Sequence, residues 1–218
     1  MNLKKLFSED DFARIKAKVK EAESQISGEI VPVIVDRCSD YSIAVYRSTL
    51  VGILASFVAI VLIDRFIPGI AIYDPLWYFL FVLAGGTFTA LLSSFISPLK
   101  RFFVGEQILD ETIQQHAELY FTKEEVFNTK QRTGILIFIA LWERRIVIKA
   151  DTGIDKVVKQ ETWDDLVSII IKGIKENKIT DGILSAIEMC GQILLENGFV
   201  VSSDDKNELS DDLRVGGK

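Results

Sequence analysis

Two long apolar runs dominate the pattern of hydrophobic and polar positions along this chain. The first runs from Ile43 to Ile63 and the second from Pro75 to Ile96, and few charged residues interrupt them. About 20 apolar residues in a helix are enough to cross the hydrocarbon core of a bilayer. Because soluble cores rarely supply two adjacent runs of this length, the pattern predicts two transmembrane helices. A buried hairpin in a soluble core is the alternative.

The charges around these runs predict their orientation. Basic residues flank the pair on both outer sides, whereas the short connector has Arg65 beside Asp64. Lysine and arginine accumulate on the cytoplasmic side of membrane proteins. We therefore expect both termini in the cytoplasm. The basic residues of the flanks are Lys4, Lys5, Arg14, Lys16, Lys18, Lys20, Arg37, Arg47, Lys100 and Arg101.

Small residues recur every four positions in both runs. This spacing lets two helix backbones approach closely, so it favours an antiparallel helical hairpin. The same faces are equally suited to joining two copies of the chain as a homo-oligomer. The residues concerned are Ser48, Gly52 and Ser56 in the first run and Gly86, Ala90 and Ser94 in the second.

Shorter periodic segments elsewhere predict a water-soluble domain. Helical and strand spacing alternate in it, which indicates an α/β fold. Pro32 lacks an N–H and predicts an edge position or a bulge for its strand. The predicted elements are a helix from Ser8, a strand over Glu29–Val35, a helix over Leu99–Phe121, strands over Gly134–Leu141 and Arg144–Ala150, and helices near Glu161–Glu176 and Thr180–Asn197.

The order of these elements predicts the domain organisation. We expect a small mixed sheet flanked by helices and interrupted by a two-helix transmembrane hairpin. Residues 1–42 and 98–199 would form the two parts of one α/β domain, and residues 43–97 the hairpin. The polar residues 200–218 are predicted to form a disordered acidic tail.

Composition narrows the classes of function. The net charge of −6 and the pI of about 5.0 argue against nucleic acid as a partner, because phosphate binding needs a positive surface. Cys38 and Cys190 are isolated, so they predict neither a disulfide framework nor a zinc site.

Three stretches of the soluble part resemble the TPM domain family. They are SGEIVPVIV after the first helix, TKQRTGILIFIALWERRIVIKADTGI around the two later strands, and TWDDLVSIIIKGIKENKITDGILSAIEMCGQILLENGF near the end. The T-x-x-R-T-G-x-L run, the strand ending A-D-x-G-I, and the later Trp163 and Asp181-Gly182 carry the resemblance together. The inserted apolar pair is similar to the membrane-anchored bacterial branch of that family.

The resemblance implies a location and several activities. The bacterial branch implies a multi-pass protein of the inner, cytoplasmic membrane. Members of the family are linked to acid phosphatase activity, to calcium binding and to the support of membrane protein complexes. The fold alone selects none of these.

The loop after the last predicted strand is the candidate site. We expect the second strand to run parallel to the first through a right-handed crossover and the third to return beside it. Asp151 then lies at the end of the sheet away from the membrane, and Asp155 follows four residues later. Two carboxylates and loop carbonyls suit Ca²⁺ or another divalent cation. The alternatives are a cap at a turn or an aspartic protease, which would need two Asp-Thr-Gly motifs in an all-β frame. The residues expected to line the site are Asn128, Gln131, Arg132, Thr152 and Gly153, with Glu29 as a further neighbour.

The function predicted from these features is that of an interaction module at the cytoplasmic face of the membrane. Its expected partners are the lipid bilayer and another membrane protein, with a divalent cation at the acidic loop. The alternative is a metal-dependent, acid phosphatase-like hydrolase in which Asp151 and Asp155 hold the metal and Arg132 binds phosphate. No catalytic residue is assigned, and His116 is expected to be a surface or packing residue.

Overall fold

The computed structural model describes residues 6–70, 73–176, 178–201 and 207–216. The chain forms two compact units, one of residues 1–38 and 112–218 and one of residues 39–111. The described elements are, in chain order, α1 (Glu9–Glu23), β1 (Glu29–Val35), α2 (Ile43–Phe66), α3 (Pro75–Phe95), α4 (Ser97–Val104), α5 (Glu106–Lys123), β2 (Gly134–Ala140), β3 (Arg145–Ala150), α6 (Thr152–Asp155), α7 (Gln160–Lys175), α8 (Ile179–Glu196) and β4 (Arg214–Gly216).

The larger unit is built on a four-stranded sheet in the order β3-β2-β1-β4. β1 pairs in parallel with β2 and with β4, and β2 pairs antiparallel with β3. Every residue of β1 and β2 is buried, as expected for strands that helices cover on both faces. The predicted α/β class with a small mixed sheet is confirmed.

Two apolar cores hold the larger unit together. Successive side chains of a strand point to opposite faces, so Ile30 and Ile34 of β1 pack with α1, α7 and α8. Val31 and Val33 point the other way and pack with α5. All the residues of both cores belong to the larger unit.

The smaller unit contains a hairpin of two apolar helices. Ser48 of α2 and Ser93 of α3 share a hydrogen bond of 2.8 Å, and the Thr89 hydroxyl donates to the Ser48 carbonyl at 2.8 Å. Gly52 approaches Thr89, and Ser56 approaches Gly85, so the helices run antiparallel. Both helices are long and apolar enough to cross a membrane by length and composition.

The interface of α3 departs from the predicted stripe of small residues. Gly86 and Ser93 are buried, whereas Ser94, which the spacing of four predicts, is exposed and donates to the carbonyl of Ala90. An α-helix has 3.6 residues per turn, so steps of four rotate steadily away from one face, and a step of seven from Gly86 returns to it.

The C-terminal segment corrects the prediction of a disordered tail over residues 200–218. Residues 202–206 and 217–218 lie outside the described residues, but Arg214–Gly216 form β4 and Leu213 is buried. The side of β1 away from β2 offers open backbone groups, and the alternation of Leu213, Arg214 and Val215 suits a short strand there. β4 pairs only with Val33–Val35, so Pro32 lies where β1 has no pairing strand on that side among the described residues.

Candidate functional site

Asp151 lies at the end of the sheet where β1 and β2 begin and β3 ends. Its backbone N–H donates to the carbonyl of Gly134, the first residue of β2, at 2.8 Å. β1 runs parallel to β2, so this end of the sheet is opposite to the one at which β1 ends at Val35. The expected position of Asp151 relative to the strands is therefore observed.

The carboxylate of Asp151 is paired with the guanidinium of Arg132. Arg132 Nε lies 2.8 Å from Asp151 Oδ2, and Arg132 Nη2 donates to Asp151 Oδ1 at 3.0 Å. The Asp151 side chain is 2% exposed, and its Oδ1 also accepts the N–H of Thr152 at 2.7 Å. Because two guanidinium nitrogens each contact a different carboxylate oxygen, the pair has a defined geometry. The contact with the Thr152 N–H caps the short helix α6.

Backbone contacts fix the same two loops. The Gly153 N–H donates to the Arg132 carbonyl at 2.9 Å, and a Cβ on Gly153 would lie only 2.5 Å from that oxygen. Thr129 accepts the N–H of Thr133 through its hydroxyl at 2.9 Å. The T-x-x-R-T-G and A-D-x-G-I motifs are thus two halves of one structural connection, which we call the Arg132–Asp151 joint.

The other predicted site residues surround this joint without converging on a common point. Asp155 is exposed on α6, and its backbone N–H bonds to the Asp151 carbonyl at 3.0 Å. Asn128 is exposed and donates to Glu125. Thr152 is exposed, and Gln131 lines a neighbouring cleft.

The joint bears on the predicted cation site. Both oxygens of Asp151 contact a cationic side chain of the protein itself, so this arrangement favours Arg132 over a divalent ion. No group of three or more His, Cys, Asp or Glu side chains that could hold a metal occurs among the described residues. The site for Ca²⁺ or another divalent cation at Asp151 and Asp155 stays a prediction.

An acidic cleft lies beside the joint. Its volume is about 240 Å³, and it is lined by the end of α1, the start of β1, the loop before β2 and residues 207–208. We define the acidic cleft by its carboxylates, Glu23, Glu29 and Glu208, with Asp211 next to them. Lys20 and Lys130 also contribute to its wall.

The carboxylates of the cleft are held by backbone N–H groups. Buried Glu29 accepts the N–H of Glu208 at 2.9 Å and that of Leu209 at 3.3 Å. Glu23 accepts the N–H of Ile30 at 2.8 Å. The C-terminal segment therefore closes over the start of β1 through hydrogen bonds to a buried carboxylate.

Burial changes the protonation of this cleft. Desolvation raises the pKa of Glu23 to about 9, against the opposing effect of the Ile30 N–H, and the charges of Glu29 and Asp211 add to the increase. Burial also raises the pKa of Glu29, although the N–H groups of Glu208 and Leu209 oppose it. At neutral pH Glu23 is therefore protonated, which lets it donate a hydrogen bond to Asp211.

Of the carboxylates of the acidic cleft, the sequence analysis placed only Glu29 near the candidate site. One signal was available for Glu23, because it follows Val19 by four positions and so falls on the buried stripe of α1. Glu29 begins a strand that is otherwise apolar, which is a second signal. Asp211 and Glu208 gave none, because their segment was interpreted as a polar tail.

Comparisons with known proteins agree with this architecture. No curated protein matches the chain. The NMR structure of the BA42 protein from the psychrophilic bacterium Bizionia argentinensis is similar in fold, with a TM-score of 0.57 at 19% identity over 96% of this chain and 95% of that one. The family model of the TPM domain matches residues 102–193, which include β2, β3, the Arg132–Asp151 joint, α7 and most of α8. The chain therefore contains a TPM domain, as its sequence motifs predict.

Proposed function

We propose that this chain is a membrane-anchored interaction module, with its TPM domain at the cytoplasmic face of a bacterial inner membrane. The observation that carries the proposal is the polarity of the α2–α3 hairpin. Its hydroxyl-bearing residues Ser48, Ser93 and Thr89 face the helix interface. Large apolar side chains face outward, including those of Leu50, Leu54, Phe57, Phe79, Phe88 and Leu91.

This polarity suits lipid rather than water. Exposed apolar patches of such extent are rare on soluble monomers, whereas a lipid-exposed helix needs an apolar outer surface. Small and hydroxyl-bearing residues are the usual interface residues between transmembrane helices. Two transmembrane helices with both termini cytoplasmic would keep the two sequence segments of the TPM domain in one compartment.

The arrangement of Asp151 favours an interaction role over hydrolysis. A metal-dependent phosphatase would need Asp151 to hold a metal, but its carboxylate is buried against Arg132. The same pairing engages Nε and Nη2 of Arg132 with Asp151. His116 bonds through Nδ1 to the Thr112 carbonyl on its own helix.

Cysteine labelling in intact cells tests the anchor and its orientation. Gly69→Cys places a thiol in the connector, where an added Cβ meets nothing within 4 Å, and Asp155→Cys places one on exposed α6. The native thiols are buried, and burial raises the pKa of both Cys38 and Cys190 to about 12, so they leave a low background. We expect a membrane-impermeant maleimide to label Gly69→Cys in spheroplasts and Asp155→Cys only after lysis.

Two other results would replace this proposal. Equal labelling of both variants before lysis, or recovery of the protein in the soluble fraction, would contradict the anchor. Turnover of a generic phosphomonoester by the purified wild-type protein with Ca²⁺ or Mg²⁺, lost in both Asp151→Asn and Asp155→Ala, would favour the hydrolase.

A further inference from the structure

The C-terminal segment, residues 207–216, is attached to the domain as an extended strand. Glu208 and Leu209 donate their N–H groups to Glu29 in the acidic cleft. The segment then continues into β4, which pairs in parallel with Val33–Val35 of β1. It thus occupies the side of β1 that faces away from β2, which we call the β1 edge.

The side chains of this segment contact the domain in alternation. Leu213 is buried in the core with α1, α7 and α8, and Val215 packs against the same core. Arg214 points to the other face, where its Nε lies 3.2 Å from Glu124 Oε2. Main-chain pairing with alternate side-chain contacts is how a sheet edge binds an extended peptide.

A glycine lies close to Tyr120 at the end of the segment. Gly216 pairs with Val35, and a Cβ at this position would overlap the hydroxyl of Tyr120. The edge is therefore occupied by an apolar residue, a basic residue, an apolar residue and a glycine, in that order.

The attachment is short, and part of it is exposed. β4 has three residues, and the Lys16–Asp212 pair is between side chains that are 53% and 59% exposed. Exposed pairs of this kind contribute little to stability. Elements with few buried apolar contacts open at low free-energy cost.

We propose that the β1 edge and the adjoining acidic cleft form a peptide-binding site, which the chain's own C-terminal segment fills until a partner displaces it. The partner is a protein with an extended segment of the same pattern, apolar–basic–apolar–glycine. This inference rests on the proposed interaction role and assigns that role to a surface.

A peptide-binding measurement on the full chain in detergent tests the proposal. The probe is a fluorescent peptide of residues 207–216, NELSDDLRVG. Gly216→Val should release the intramolecular strand because its side chain overlaps Tyr120, and it leaves the β1 edge intact. A tethered strand competes at an effective concentration of about millimolar, so we expect Gly216→Val to bind the peptide on the order of tenfold or more tightly than the wild type.

Two controls define the specificity. Gly69→Val adds the same side chain where a Cβ meets nothing within 4 Å, and it should bind like the wild type. A peptide with valine in place of its glycine should not bind Gly216→Val. If Gly216→Val unfolds at the assay temperature, Leu213→Ser, which removes the buried apolar contact of the segment, takes its place.

Three outcomes would overturn the proposal. They are equal affinity of Gly216→Val and the wild type, equal binding of the glycine and valine peptides, and a peptide-independent dimer of Gly216→Val that assigns the edge to a second copy. The assay in detergent is independent of membrane orientation, so its failure is distinguishable from failure of the anchor in the labelling experiment.

Discussion

The Arg132–Asp151 joint connects the loop before β2 to the loop after β3 through an ion pair and backbone hydrogen bonds. Its two partners differ in environment, because the side chain of Asp151 is 2% exposed and that of Arg132 is 50% exposed. Removing the arginine would leave a buried carboxylate without its cation, which costs more than the pair itself contributes.

We predict that ion pairs of this chain differ widely in how much stability is lost when their arginine is removed. We expect Arg132→Ala to lower the free energy of unfolding by about 2–4 kcal/mol, because it leaves the buried Asp151 carboxylate unpaired. Water that replaces the half-exposed guanidinium keeps the loss from being larger. Arg14→Ala, which removes the exposed pair with Asp181, should cost less than about 1 kcal/mol. Urea unfolding of both variants measures the difference, and equal losses would contradict a structural role for the joint.

Glu23 predicts a pH dependence of stability. Its folded-state pKa of about 9 lies above its ordinary value of 4.5, so the folded chain binds more protons between these values. The free energy of unfolding therefore falls as the pH rises through this window. A glutamine at this position keeps the hydrogen-bonding shape but cannot ionise.

We expect Glu23→Gln to exceed the wild type in free energy of unfolding by about 1–3 kcal/mol at pH 8 and by much less at pH 5. Urea unfolding at both pH values measures it. Glu21→Gln, at a side chain that is 61% exposed on the same helix, is the matched control and should show no such pH-dependent difference. A constant gain at both pH values would point to packing rather than to ionisation of Glu23.

At the scale of elements, the α2–α3 hairpin has a defined register. Ser48 faces Ser93, whereas the adjacent Ser94 is exposed and bonds within its own helix. Ser48, Gly52, Ser56 and Gly86 thus serve the contact within one chain. Their use between two chains would require the hairpin to open.

Disulfide formation tests this register. We expect Ser48→Cys combined with Ser93→Cys to form a crosslink within one chain, visible as faster migration on a non-reducing gel. The pair Ser48→Cys with Ser94→Cys should crosslink far more slowly, because Ser94 points away from α2. A crosslinked dimer from the first pair would instead favour association of two copies through the small-residue faces.

The elements also show what could be predicted from the sequence. Unbroken apolar strands such as Ile135–Ile139 and the long helices carry strong local patterns, so their type and pairing partners followed from the sequence. β4 could not be predicted, because three residues in a polar segment form a strand only when an open sheet edge exists to pair with. The pairing of Asp151 with Arg132 depends on a contact between loops distant in sequence, which residue type alone leaves open between a cap and a cation site.

At the scale of the molecule, the TPM domain has a complete set of cores without the inserted unit. All the residues of both cores come from residues 1–38 and 112–218. We expect a chain in which a flexible Gly-Ser linker replaces residues 43–98, which keeps the whole of α5, to be soluble without detergent and to unfold cooperatively. Circular dichroism during thermal unfolding measures this, and aggregation or a broad, non-cooperative transition would contradict it.

The insertion also orders events during synthesis of the chain. β1 leaves the ribosome about 100 residues before its parallel partner β2. At a synthesis rate of about 5–20 residues per second, this is a delay of about 5–20 seconds. During this interval EIVPVIV is an apolar strand with neither neighbour in place, while the helical hairpin behind it already has all its internal contacts. Nascent chains of this protein would therefore depend on chaperone protection of β1, and slow codons placed before residue 134 would increase aggregation more than slow codons placed after residue 150.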